Sequence, residues 1–163
     1  MNPADTLMWI KTLVVAGLAT YLSIFVLNNI TDPGTNSAAI PRMMTMRELR
    51  EDPPLGQGVL WRAIESPAVH RVAYLLVIAV QAVTALVLWY AVILLVSALF
   101  TGGTGIALAV ANLGLALFVA LFLGFVLTGL WFTYWVKMGP VQQSHLTLLL
   151  VGLASVVVVN LAS

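Results

Sequence analysis

Few residues of this chain could do chemistry, and the two histidines are the first to consider. His70 and His145 are the only histidines among 163 residues. Two facing histidines could ligate a haem iron, and a histidine with Asp32 or Glu65 could bind a metal ion. Haem-ligating histidines usually lie deeper within helices than these two, which fall at predicted helix starts. We therefore expect interfacial hydrogen bonding, with no cofactor and no metal site.

The chain lacks the residue combinations that other kinds of catalysis require. The chain contains no cysteine, which excludes disulfides, thiolate nucleophiles and cysteine-ligated metals. The serines and threonines have no general base at a recognisable spacing. We expect no catalytic residues and a protein that is not an enzyme.

The composition is that of a membrane protein. Hydrophobic residues make up 61% of the chain, charged residues 8%, and the mean hydropathy is +1.05, whereas soluble domains carry about 25% charged residues. No charged residue occurs between Arg71 and Lys137, a span that suffices for two membrane crossings of about 20 residues each. The net charge of +1 gives no basic field for nucleic acid, so no nucleic-acid partner is expected.

Four apolar segments are long enough to cross a bilayer as helices, which satisfy their own backbone hydrogen bonds. They cover about 6–27, 72–100, 105–131 and 146–161. The sequence predicts an all-α bundle of four transmembrane helices, forming one domain over 1–163. The segment 28–70 is the only sizeable extramembrane element, and we expect it to be ordered.

Two short helices are predicted in this loop. Thr45 precedes Glu48 by three residues, the spacing of a capping box, so a helix is expected to start there. Its apolar residues would lie on the membrane surface: Met43, Met44, Met46 and Leu49.

The second short helix covers 58–67 and is amphipathic. Leu60, Trp61 and Ile64 would share one face. Arg62 and Glu65, three residues apart on the other, could form a surface ion pair.

Alternation across the bilayer gathers the polar and aromatic residues at one end. The end of the first predicted helix, the start of the second, the end of the third and the start of the fourth must lie together. We call this the motif end, and its candidate ligand- or partner-binding residues are Asn28, Asn29, Asp32, Trp61, Arg62, Glu65, His70, Trp131, Trp135 and His145. The asparagines could equally cap a helix, and the tryptophans could belong to an interfacial belt.

The predicted membrane-spanning segments contain few polar residues. Lys11 is the one charged residue among them, and it could snorkel to the interface. A transporter would normally carry an ionisable residue there. The third helix has small residues at four-residue spacing, Ala116, Ala120, Gly124 and Thr128. This stripe permits close packing, either within the bundle or against the helix of another protein.

Three motifs, "NNITDPGTN", "LWRAIESPAVHRVAY" and "GFVLTGLWFTYW", resemble the DUF2165 family of predicted small bacterial membrane proteins. The resemblance covers about 11–135, and the tail after Trp135 departs from it, as do Gln81, where a glutamate is usual, and the uncharged turn 102–105. It implies a compact four-helix protein of a bacterial inner membrane and no assigned activity. The matching residues are Asn28, Asn29, Asp32, Asn36, Trp61, Arg62, Pro67, His70 and Tyr74.

The sequence gives two conflicting indications of which side of the membrane the motif end faces. Arg42, Arg47, Arg50, Arg62, Arg71 and Lys137 lie near helix ends on the motif side, against Lys11 on the other. The positive-inside rule then makes the motif end cytoplasmic, whereas the family charge pattern implies the opposite side.

Three functions are compatible with these features. The first is a non-catalytic accessory subunit of a larger membrane complex, of respiratory or other redox type, with lipid and other membrane subunits as partners. The second is a protein that binds a quinone, a lipid or a small ligand, with Arg62 and His70 holding a polar head group. The third is a small transporter or channel. The sequence also allows Asp32 to reach Arg62 or His70.

Overall fold

The computed structural model describes residues 3–162, and it describes their side chains except those of Thr35 and Asn36. The described residues form helices and no strand. The α-helices are α1 (Pro3–Thr31), α2 (Pro33–Met44), α3 (Arg47–Arg50), α4 (Pro67–Thr101), α5 (Thr104–Trp131) and α6 (Gly139–Val159), with 3-10 helices at Gln57–Arg62 and Tyr134–Val136. Helices α1, α4, α5 and α6 are long and apolar enough to cross a membrane. The predicted all-α fold with four transmembrane helices is confirmed.

Local sequence signals account for the ends of α4. Pro67 occupies the first turn, where its missing N–H costs nothing. At the other end Gly102 adopts a left-handed conformation with φ 74, and its N–H donates to Ala98 O at 2.9 Å. Such a conformation favours glycine, so the glycine pair ends the helix and returns the chain directly into α5.

The transmembrane helices form a row in chain order. Helix α1 packs on α4, α4 on α5, and α5 on α6, whereas α1 and α6 touch only slightly. Their shared core is continuous and apolar, and its fully buried side chains include Val15, Leu22, Leu88, Leu95, Leu115, Phe118 and Val159.

Two helix boundaries extend beyond the predicted segments. Helix α1 continues through Asn28 and Asn29 to Thr31, so both asparagines are helical. Helix α6 begins at Gly139, so His145 lies in its second turn. Asp32 stands between α1 and α2 and precedes Pro33, a favoured sequence for a helix start.

The predicted packing stripe on α5 does not face the bundle. Ala116, Ala120 and Thr128 are exposed, and a Cβ added to Gly124 would meet nothing within 4 Å. Close packing instead occurs at Gly114, where an added Cβ would lie 2.7 Å from Leu88 Cδ2. The prediction that the stripe packs within the bundle is wrong, because a helix that is apolar on every side does not reveal its buried face.

The loop folds differently from its two predicted helices. No capping box forms: Thr45 Oγ1 donates to Pro41 O at 2.8 Å, and α3 follows Met46, whose φ is 53. The second segment is a 3-10 helix at Gln57–Arg62 followed by extended chain, not an amphipathic α-helix.

The methionines of the loop do not form a membrane surface. Met46 and Leu49 are 2% and 1% exposed, and they pack with Phe132 and Tyr134. Met43 and Met44 are half-buried against the same cluster. Hydrophobic burial therefore attaches residues 32–66, which we call the cap, to the end of α5 and the turn that follows it.

Two glycines on α5 provide a test of this packing. We expect Gly114→Ala to destabilise the protein by about 1–3 kcal/mol, the usual cost of overpacking a filled core. The new Cβ would press on Leu88, whose backbone N lies 3.4 Å from it. Thermal unfolding in detergent should show a lower Tm.

Gly124→Ala is the matched control, because its Cβ would enter open space. Alanine is a better helix former than glycine, so the Tm of this variant should stay the same or rise. Equal losses in both variants would contradict the packing at Gly114.

Candidate functional site

The cap is held together and held to the bundle at the motif end. Ile64 N donates to Met44 O at 2.8 Å, which joins its two halves. Arg42 pairs with Glu48, and Arg50 with Glu65 at 2.8 Å. The predicted Arg62–Glu65 pair is wrong, because the 3-10 turn and the extended chain after it place Glu65 beside Arg50. These pairs are exposed and each contributes little, about 0–1 kcal/mol.

The asparagines of the first motif have separate environments. Asn28 is exposed, whereas Asn29 is 9% exposed and donates from Nδ2 to Gln81 Oε1 at 3.0 Å. Tyr74 Oη donates to Asn29 O at 2.7 Å. Asn29 therefore joins α1 to α4, and Gln81 and Tyr74 are the partners that the candidate list missed. The side chain of Asn36 lies outside the described part of the structure.

His70 is a structural hydrogen-bond donor. It is 7% exposed, and its Nε2 lies 2.7 Å from Ile64 O. A carbonyl oxygen can only accept, so Nε2 carries the proton. This bond fixes the extended chain before α4 against the first turns of α4.

His145 belongs to a second cluster, near the start of α6. Its Nδ1 lies 3.0 Å from Tyr134 Oη, and its ring stacks on Phe125 with centroids 4.9 Å apart. Tyr134 Oη also donates to Phe125 O at 3.2 Å. Burial raises the pKa of Tyr134 to about 12, so the phenol stays neutral and keeps its proton at physiological pH.

Gln142 completes this second cluster. It is 7% exposed, and Nε2 donates to Val126 O at 3.2 Å. Its Oε1 accepts no hydrogen bond and lies 2.0 Å from where a Cβ on Gly129 would stand. The oxygen thus faces the Cα–H of Gly129, a weak C–H···O contact, and a larger residue at this position would displace the Gln142 side chain.

The two histidines therefore have separate partners. Each imidazole nitrogen with a described contact is occupied by a protein group, Ile64 O for His70 and Tyr134 Oη for His145. Within residues 3–162 no group of three or more His, Cys, Asp or Glu side chains could hold a metal ion. The hydrogen bonds described for Arg62 and His70 go to Trp131 O and Ile64 O, and the reach of Asp32 to either residue stays a prediction.

Arg62 and two tryptophans form the aromatic part of the motif end. The Arg62 Cζ lies 4.8 Å from the ring centroid of Trp131 and 5.4 Å from that of Trp61. The two rings meet edge to face at 6.0 Å. Arg62 Nη1 donates to Trp131 O at 3.3 Å, and Nε is buried with no hydrogen-bond partner. Trp135 is 48% exposed, as expected for an interfacial side chain.

An open groove adjoins this arginine. Its volume is about 580 Å³, and it is lined by Arg62, Leu127, Thr128, Leu130, Trp131 and Phe132. Of the ten candidate residues, the structure brings Trp61, Arg62 and Trp131 together. It distributes the others along the cap and the helix ends.

The opposite end has polar contacts that the sequence did not predict. Lys11 does not snorkel outward: it is 2% exposed, and its Nζ donates to Leu161 O at 2.7 Å. Asn112 and Asn160 exchange two side-chain hydrogen bonds, at 2.9 and 2.7 Å. Helix α6 is shorter than α1, α4 and α5, so its carboxyl end lies beside Lys11 of α1 and Asn112 of α5. These two side chains hydrogen-bond to it there.

Gly129→Ala tests the second cluster. The new Cβ would displace Gln142 and press on the ring of Tyr134, 2.8 Å away. We expect a loss of about 2–4 kcal/mol, from overpacking together with a broken hydrogen bond. Thermal unfolding and limited proteolysis of the exposed cap segment 51–56 would measure it.

Gly139→Ala is the control, because a Cβ there would meet nothing within 4 Å. Cap proteolysis that is unchanged in Gly129→Ala would contradict the role of Gln142.

Comparison with known proteins agrees with this geometry. The family model described as predicted small integral membrane protein (DUF2165) matches residues 7–162, so the family pattern also includes the tail after Trp135, which the sequence motifs had excluded. No curated protein and no solved structure matches the chain. The match spans nearly the whole chain, and the four apolar helices are those of a multi-pass membrane protein; the chain belongs to the DUF2165 family of predicted small integral membrane proteins.

Proposed function

We propose that this protein is a non-catalytic accessory subunit of a larger membrane complex. The proposal is supported by the contacts of the polar residues at the motif end, which are with other parts of the same protein. His70, Glu65 and His145 each contact another part of the cap or bundle, at Ile64 O, Arg50 and Tyr134. Side chains arranged in this way stabilise a fold, whereas catalytic groups would converge on one reacting atom.

The polar side chains between the helices also have a structural use. Asn29 bonds to Gln81, and Asn112 bonds to Asn160. Side-chain amides that join helices in a membrane contribute roughly 0.6–2 kcal/mol each. We therefore do not propose a transport path through them.

A partner would contact the outer face of α5. Ala116, Ala120 and Gly124 leave a shallow channel along the helix, and no other helix among residues 3–162 covers it. The inner face of the same helix already packs closely on α4 through Gly114. Small side chains let backbones approach and gain dispersion contacts, the main source of helix association in lipid. The proposed occupant is one transmembrane helix of a partner subunit.

A bulky side chain in this channel should break the assembly. We expect Gly124→Phe to fold and insert, because the position is open, yet to release the chain from its complex. The measurement is gentle extraction of the native membrane, native electrophoresis and mass spectrometry of the band that holds the chain.

Leu86→Phe is the control, since Leu86 is 69% exposed on α4, away from the channel. It should migrate with the same large assembly as the natural chain. A natural chain that migrates at its own mass plus detergent, or a Gly124→Phe variant that stays in the assembly, would overturn the proposal.

We further propose a bacterial inner membrane as the location, with the cap on the cytoplasmic side. Six of the seven basic residues, all except Lys11, lie at the motif end or in the cap. The positive-inside rule favours retention of such segments in the cytoplasm.

The absence of cysteine allows a direct test of orientation. A cysteine replacing the exposed Gln57 of the cap should react with a membrane-impermeant maleimide only after the cells are permeabilised. A cysteine replacing Gly103, in the exposed turn at the other end, should react in intact cells. The reverse pattern would place the cap outside.

A further inference from the structure

The side chain of Arg62 differs from the other arginines of the cap. Arg42, Arg47 and Arg50 each pair with a glutamate: Glu48, Glu51 and Glu65, respectively. The described contacts of Arg62 contain no carboxylate. The groups described around its positive charge are two aromatic rings and one backbone carbonyl.

Two aromatic rings contact the guanidinium. Trp131 and Trp61 both contact it through their rings, at 4.8 and 5.4 Å from Cζ. Cation–π contacts of this kind contribute about 0.5–2 kcal/mol. A cation–π contact uses the face of the ring and does not consume the N–H groups of the guanidinium as hydrogen-bond donors.

Hydrogen bonding of this guanidinium is incomplete. Among its described contacts Nη1 alone makes a hydrogen bond, to Trp131 O, and Nε is buried with no partner. An unpaired buried donor costs about 1–3 kcal/mol, more when charged. An anion with several oxygens would remove this cost, and phosphate has the geometry that arginine binds best.

The groove beside Arg62 fits an amphiphile. Its remaining walls are Leu127, Thr128, Leu130, Trp131 and Phe132. The groove lies at the end of α5, where a transmembrane helix leaves hydrocarbon for the head-group layer. Leu127 and Leu130 are 55% and 52% exposed, so an acyl chain could follow the outer surface of α5 from there.

We propose that this groove binds one anionic phospholipid, with its phosphate on Arg62 and an acyl chain along Leu127. A zwitterionic lipid would also bring an ammonium group, and the glutamates of the cap, Glu48, Glu51 and Glu65, are each paired with an arginine. Charge complementarity therefore favours a head group with a net negative charge. Because Nε is buried, a phosphate oxygen reaches it only if a covering side chain moves. The site does not depend on the accessory-subunit role.

The test is a lipid titration of the purified, delipidated chain in detergent. Dioleoylphosphatidylglycerol should bind as one retained molecule in native mass spectrometry, raise the Tm and change tryptophan fluorescence. Dioleoylphosphatidylcholine should bind at least about tenfold more weakly, because its ammonium group cancels the net negative charge of the head group. Inorganic phosphate alone should do none of these, and equal protection by phosphate would identify a soluble-anion site and overturn the proposal.

Three variants locate the site. Arg62→Gln should reduce affinity for dioleoylphosphatidylglycerol about tenfold or more, and Leu127→Trp should do so by filling the groove without touching the arginine. Arg71→Gln, at an exposed arginine of the same end, should leave the affinity for dioleoylphosphatidylglycerol unchanged. If Arg62→Gln does not fold, the affinity of Leu127→Trp alone decides whether the lipid binds in the groove.

Equal affinity for the two lipids, or full affinity in Leu127→Trp, would overturn the proposal. Because the titration uses the isolated chain, its failure is distinguishable from a failure to find a partner complex.

Discussion

Polar groups on a membrane-spanning helix must find their partners within the protein, because hydrocarbon offers none. The rest of this structure depends on that constraint. Serine and threonine side chains donate to the carbonyl four residues earlier, as in Thr84 to Val80 and Ser155 to Val151. Amides bond in pairs across helices, and Lys11 donates to a carbonyl just beyond the carboxyl end of α6, where a cation is also favoured by the helix dipole.

Outside the membrane the opposite requirement, burial of apolar groups away from water, explains why the cap is folded. A chain leaving α1 and returning to α4 could remain in solvent, but its apolar residues Met46 and Leu49 bury themselves on Phe132 and Tyr134. Tyr134 then reaches His145, so the cap, the end of α5 and the start of α6 become one packed unit. His70 and His145, the two candidate ligands that the sequence first offered, make hydrogen bonds within this part of the protein.

Helix α5 connects the structural and functional inferences. One face packs on α4 and α6 through Gly114 and Phe118. The other face exposes small residues to the membrane and ends at the Arg62 groove. A partner helix along the channel and a lipid at its end would occupy adjacent surfaces, so both proposals follow from the part of α5 that the chain itself leaves uncovered.

The sequence by itself determined what depends on composition and order. Long apolar runs specified four transmembrane helices, and alternation across the bilayer specified that Trp61, Arg62 and Trp131 share an end. Only the tertiary structure decided what depends on rotation about a helix axis and on distant partners. Because α5 is apolar all round, its sequence did not reveal that Gly114 is buried and Gly124 open. Glu65 pairs with Arg50, and Met46 is buried, because the cap folds back on itself. These contacts join residues that are distant in the sequence, so no local sequence pattern predicts them.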